Sequence, residues 1–239
     1  SGAKWNYEEP FTYNGYPKEV VVIGLPNGVT VKAYQNNIKT DVGEYEATVS
    51  FNYDSDHYEE PTLSSLLWNI NPARVAIELE DEYVYGSTLK DIVPKASNYG
   101  TFSVTNKNGN TDETALLGNA GDTVTVIVTF SSTNKNYESY SEEVEITITK
   151  REVTFNNVVS VYDYDGEAHE VTYTLGNVVG NDIPTVTGNK PIVTVAQSTI
   201  VTLEVVDPNY TGSKTVELTI NQGTPSTDFN KEYTVVNGT

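Results

Sequence analysis

The chain has 239 residues and a formal net charge of −19, with 33 acidic side chains against 14 basic ones. That balance excludes nucleic-acid binding, which depends on neutralising phosphates; it also excludes adsorption to an anionic membrane, and it confers solubility through self-repulsion. Cysteine is absent, which removes disulfides, thiolate nucleophiles and cysteine metal sites, and no apolar run is long enough for a membrane-spanning helix, so no membrane insertion is expected.

In chain order, the leading Ser-Gly reads as a cloning remnant, since neither a basic segment nor an apolar core follows it. An aromatic–glycine turn, "TYNG", ends at Gly15, and "GLPNGV" (residues 24–29) carries Asn27-Gly28, a hairpin dipeptide. "GEYEATVSF" (residues 43–51) then alternates, with Tyr45, Ala47, Val49 and Phe51 on one face. The polar hairpin "DHYEEP" presents Tyr58. "LLWNIN" (residues 66–71) alternates again, placing Leu66, Trp68 and Ile70 inward and Asn69 and Asn71 outward.

The series recurs twice. The second pass runs through "VYG" (Gly86), Asn108-Gly109, "GDTVTVIVTF" (residues 121–130), "KNYESY" (Tyr137) and "EEVEITIT" (residues 142–149). The third runs through "DYDG" (Gly166), "STIVTLEVV" (residues 198–206), "PNYTGS" (Tyr210) and "KTVELTIN" (residues 214–221). Ile70, Ile148 and Ile220 mark one position in all three. Such internal periodicity defines repeats of about 75 residues, at 1–72, 73–150 and 151–222. Residues 223–239 read as a linker and the start of a truncated fourth repeat. The joins at Pro72-Ala73 and Lys150-Arg151 have no flexible linker.

Short strands rich in Val, Ile, Thr and Tyr, with period two and turn signals between them, predict an all-β chain of three tandem β-sandwiches forming an elongated rod. Domains this small are marginal alone.

The run "DVGEYEATVSF" (residues 41–51) resembles the strand of immunoglobulin-like domains in which an acid, a glycine and a tyrosine precede a cysteine. Asp41, Gly43 and Tyr45 match it, and Ala47 stands at the cysteine position. The resemblance implies a tyrosine corner, with the Tyr45 hydroxyl bonded back to the backbone. More narrowly, the aromatic–glycine turn, "GLPNGV", "DVGEY" and the tyrosine hairpins are similar to tandem bacterial immunoglobulin-like repeats of the MBG/YDG kind. That resemblance implies a secreted or cell-surface protein of bacteria. It implies a non-catalytic stalk, spacer or adhesin, or alternatively a module binding glycan or a host protein, and it names no ligand.

Candidate chemistry is sparse. With two histidines and no cysteine, no catalytic set is expected. Asp54, Asp56 and Glu59 cluster hard oxygens suited to calcium but lack a ligand-ordering loop, and a solvated acidic surface is the competing reading. Tyr53, Tyr58, Tyr137, Tyr140 and Tyr210 lie on or near equivalent hairpins and offer apolar faces with polar tips. They serve either glycan contact or packing against a neighbouring repeat. A Lys4 cross-link to Asn69 or Asn71 is not expected, because both asparagines face solvent by parity.

"VYDYDGEAHEV" (residues 161–171) places Asp163, Asp165, Glu167 and His169 at alternate positions, a spacing that would suit a metal. Laid on "FTYNGYPKEV" (residues 11–20), however, the stretch keeps Tyr164, Gly166, Glu170 and Val171 and changes each would-be ligand. It therefore reads as a turn with an acidic face, with His169 at the surface.

Overall fold

The computed structural model describes residues 2–80, 82–107 and 112–223. The expected Asn108-Gly109 turn and the expected fourth-repeat start at 224–239 lie outside the described residues. The chain is all-β; among the described residues the helical elements are two short 3₁₀ turns, Leu89–Asp91 and Val195–Gln197.

Its contacts divide into two units. The first holds residues 1–81, 89–113 and 125–145; the second holds 82–88, 114–124 and 146–239. The division falls inside the second sequence repeat, whose long strands Thr123–Ser132 and Tyr140–Thr149 have residues in both units.

In the first unit a four-stranded sheet is ordered Phe11–Thr12, Leu66–Asn71, Gly43–Asn52, Thr30–Gln35. Two short ladders accompany it, Lys4–Trp5 with Val22–Ile23 and Lys18–Glu19 with Ile38–Lys39. Alternation sets the packing: Trp68 and Ile70 are buried with Ala47 and Val20, while Leu67, one residue out of phase, is 75% exposed. A one-residue slip would exchange those faces, so the register is strongly specified. Phe11 and Tyr45 pack on Trp68, at ring separations of 5.9 and 5.2 Å.

The Tyr45 hydroxyl donates to the Asp41 carbonyl at 2.7 Å, which is the tyrosine corner implied by "DVGEY". Trp5 donates its indole N–H to the Ser64 carbonyl at 3.0 Å. Asn71 is exposed, as parity requires. Asn69 is half-buried, because its side-chain oxygen accepts from Tyr7 and its amide donates to Asn71, each at 2.7 Å. The same unit contains the antiparallel ladder from Gly100↔Ser132 to Asn106↔Val126, which buries Val126, Val128 and Phe130.

In the second unit a four-stranded sheet is ordered Val161–Asp163, Ser213–Asn221, Thr199–Val205, Val186–Thr187. Its core is Val171, Ile192, Val201, Leu203, Leu218 and Ile220.

One element recurs in every repeat. A short early strand pairs in parallel with the last strand, and an aromatic residue faces the landmark isoleucine: Phe11↔Ile70, Tyr83↔Ile148 and Tyr162↔Ile220. The chain then turns at Gly15, Gly86 and Gly166, all at φ between 81° and 93°, a conformation open to glycine without steric cost.

Candidate functional site

The tyrosine hairpins share one local device, which sets Tyr137 and Tyr210 three residues after the accepting side chain and Tyr58 four residues after it. An Asp or Asn side chain accepts the backbone N–H two residues on: Asp54 from Asp56 at 3.1 Å, Asn134 from Asn136 at 2.9 Å and Asp207 from Asn209 at 2.8 Å. Such Asx turns explain why these residue types open each hairpin.

In the first unit the turn delivers Asn136 and Tyr137. The Asn136 carbonyl accepts the N–H of Ala73 at 3.0 Å, holding the residue that follows the join. Its side chain reaches the first repeat: the Oδ1 accepts from the Val42 N–H at 2.9 Å and the Nδ2 donates to Asp41 Oδ1 at 3.0 Å. Lys135 Nζ lies 3.3 Å from the other Asp41 oxygen. Tyr137 stacks on Tyr99 with ring centroids 4.0 Å apart and meets the Tyr13 ring edge-on at 5.6 Å.

In the second unit the same construction recurs. The Asn209 carbonyl accepts the N–H of Arg151 at 3.0 Å. Its Oδ1 accepts from the Ala120 N–H at 3.0 Å, and its Nδ2 donates to Asn119 Oδ1 at 3.2 Å. Tyr210 meets the Tyr85 ring edge-on at 5.3 Å. Both hydroxyls donate to Asp182 Oδ2, at 2.7 Å from Tyr210 and 3.0 Å from Tyr85, and Tyr210 accepts from the Val179 N–H at 2.8 Å. Arg151 caps the Tyr85 carbonyl at 2.6 Å and the Asn177 side chain at 3.0 Å.

The electrostatics follow from these contacts. Hydrogen bonding to Asn136, then to Lys135, lowers the Asp41 pKa. Hydrogen bonding with Tyr99, then burial, pushes Tyr137 up to about 12. Burial, then the Asp182 hydrogen bond, pushes Tyr210 up to about 12. Both tyrosines are therefore held neutral well into the alkaline range.

The five tyrosines placed on or near equivalent hairpins are in different surroundings. Tyr210 is 2% exposed and Tyr137 is half-buried. Tyr140 is half-buried; it donates to the Val75 carbonyl and lies under the Arg74 guanidinium, which pairs with Glu138. Only Tyr58, 71% exposed, presents its ring to solvent, beside half-buried Tyr53 in a cleft floored by Pro26 and Gly28. Sequence periodicity singled out the tyrosines and passed over Asn136 and Asn209, although the recurring Asn-Tyr dipeptide was the available signal.

Asp54, Asp56 and Glu59 are exposed. Asp54 is engaged by the turn and by His57 Nδ1 at 2.8 Å. Among the described residues no group of three or more His, Asp or Glu side chains is placed to hold a metal ion.

His169 departs from the expected surface position. Its ring stacks on Tyr162 at 4.4 Å, its Nε2 lies 2.9 Å from Asp165 Oδ1, and its backbone pairs with Ile192. Asp165 also accepts the Glu167 N–H at 2.9 Å. Those contacts, the backbone N–H foremost, lower its pKa. The acidic run is a braced turn.

No protein-family model and no curated protein matches the chain. Solved structures with similar strand arrangements include the N-terminal four Ig domains of Dscam1 isoform 6.44, at 11% identity and a TM-score of 0.25, covering 93% of this chain and 73% of that one. A three-Ig structure of titin domains I67–I69 is 10% identical with a TM-score of 0.28, covering 93% and 99%. Three N-terminal domains of the bacteriophage RB49 highly immunogenic outer capsid protein are 13% identical with a TM-score of 0.26, covering 92% and 97%.

Proposed function

We propose that the chain is a non-catalytic repeat segment of a secreted or surface protein of bacteria. In this reading domains at 1–72, 73–150 and 151–222 serve as a spacer or adhesin stalk. The observation that supports it is the Asn–Tyr junction, built twice from equivalent atoms. Hairpin side chains that could meet a ligand instead hold the preceding repeat, and the joins leave no linker to absorb bending. Both histidines are tied to turn carboxylates. Small-angle scattering on dilute monomer tests the reading. A stalk requires an extended particle whose dimensions change little with ionic strength, whereas a compact particle overturns it.

A second reading rests on one observation, the exposed Tyr58 beside Tyr53 with the Asp54 and Glu59 carboxylates at the cleft edge. An aromatic face bordered by polar groups suits a glycan ring. A glycan-array signal lost in Tyr58→Ala supports it, and a blank array at high protein concentration counts against it.

A further inference from the structure

Three pairs of tyrosine rings are in contact among the described residues, and their geometry differs. Tyr13 meets Tyr137 edge-on, with ring planes 79° apart, and Tyr85 meets Tyr210 edge-on at 81°. Tyr99 and Tyr137 instead lie nearly parallel, 17° apart, with centroids at 4.0 Å. Their side chains hydrogen-bond through the hydroxyls, so the two rings point the same way. In parallel phenols aligned like this, the ring carbons beside the hydroxyls (Cε) face one another.

Both residues are anchored at the backbone. The Tyr99 carbonyl accepts from the Thr133 N–H at 2.9 Å, and the Tyr99 N–H donates to Ser97 Oγ at 3.1 Å. The Tyr137 N–H donates to the Asn134 carbonyl at 2.9 Å. The fold therefore supplies the approach and orientation that a chance encounter of two phenols lacks. Tyr99 is 41% exposed, which opens the stack to an oxidant from solvent.

We propose that Tyr99 and Tyr137 form an oxidative cross-linking site, at which hydrogen peroxide activated by a haem peroxidase joins the two rings by a carbon–carbon bond. Each phenol gives up one electron and one proton and becomes a phenoxyl radical. The two electrons and two protons reduce one hydrogen peroxide to two waters. The radicals pair at the facing Cε atoms, forming one C–C bond, and the hydrogens on those carbons move to the oxygens. Both phenols are restored, and the chain has lost two hydrogen atoms. The bond gives a cysteine-free chain a covalent closure. It ties the hairpin that carries Asn136, the residue bound to Val42, to the start of strand Gly100–Asn106. Such closures stabilise mainly by restricting the unfolded chain. This chemistry goes beyond the stalk reading and does not depend on it.

The test treats the dilute full chain with a haem peroxidase and limiting hydrogen peroxide. The expected product is a single chain lighter by two hydrogens, with dityrosine fluorescence and a higher urea midpoint. Trypsin then releases residues 96–107 joined to residues 136–150, peptides whose tyrosines are Tyr99 in one and Tyr137 and Tyr140 in the other. Tyr99→Phe and Tyr137→Phe each keep a ring in the stack but form no phenoxyl there, and each abolishes the joined peptide. Tyr140→Phe leaves it in place. Tyr85 and Tyr210 serve as the internal control, because their hydroxyls both donate to Asp182 rather than to each other and Tyr210 is 2% exposed. A chain that loses no hydrogens, links formed only between chains, or an intramolecular link that survives either Tyr99→Phe or Tyr137→Phe overturns the proposal.

Discussion

At the residue scale the tyrosine corner shows how one glycine and one hydroxyl fix a strand entry. Tyr45 lies across its own strand to reach the Asp41 carbonyl, and a methyl group at Gly43 would stand 3.0 Å from the Tyr45 hydroxyl and 3.1 Å from its ring. Gly43 therefore leaves room for the ring, which a side chain there would push aside by a few tenths of an ångström. Tyr45→Phe keeps the ring on Trp68 and loses only the hydrogen bond, an expected cost of about 0.5–1.5 kcal/mol. Gly43→Ala displaces the ring as well and costs about 1–3 kcal/mol by overpacking. Urea midpoints rank wild type above Tyr45→Phe above Gly43→Ala; a Tyr45→Phe midpoint equal to wild type would show that the corner bond contributes nothing. This feature was legible in "DVGEY" because its partners lie four residues apart. The covering of His169 was not, since it depends on Ile192, which only the folded sheet brings alongside.

At the scale of elements, alternation predicted which side of each long strand is buried, and Trp68, Ile146, Ile148, Leu218 and Ile220 are all inside. The two-residue strands escaped detection because a period cannot be read from two positions; they exist through pairing with distant partners such as Ile70 and Ile148. The Asn–Tyr junction was hidden for a related reason. Asn136 lies 94 residues from the Val42 N–H it accepts from, and an asparagine in a polar hairpin carries no local mark of that task. Its burial is diagnostic, because Asn136 is the one buried polar residue other than tyrosine among the described residues. Asn136→Ala leaves the Val42 N–H without its acceptor, at an expected cost of about 1–3 kcal/mol. Asn136→Asp keeps the acceptor but sets a second carboxylate against Asp41. Hydrogen exchange at the Val42 amide reads the difference directly: acceleration is expected in both variants, larger in Asn136→Ala. Asn209→Ala does the same at Ala120. Unchanged protection at Val42 and Ala120 would remove the clamp from the account.

For the molecule as a whole, the junctions set a pH window. Asp41 and Asp165 have folded pKa values below their ordinary one. The stability they contribute is present above the unfolded value of about 3.9 and is lost as pH falls through the folded values. Tyr137 and Tyr210 move the other way, to about 12 in the folded chain. The unfolded chain gives up those protons near pH 10, so their contribution is complete below about pH 10 and is lost as pH rises toward 12. Net negative charge grows over the same alkaline range, and its self-repulsion acts in the same direction; a comparison at fixed high salt separates the two. Tyrosinate absorbance is expected to include a late fraction near pH 12 from Tyr137 and Tyr210. Tyr210→Phe removes part of that late fraction and makes the fall in urea midpoint between about pH 10 and 12 shallower than in wild type. Should every tyrosine titrate in a single step near pH 10, the junction hydroxyls are solvated in solution and the packing of Tyr210 against Tyr85 does not hold there.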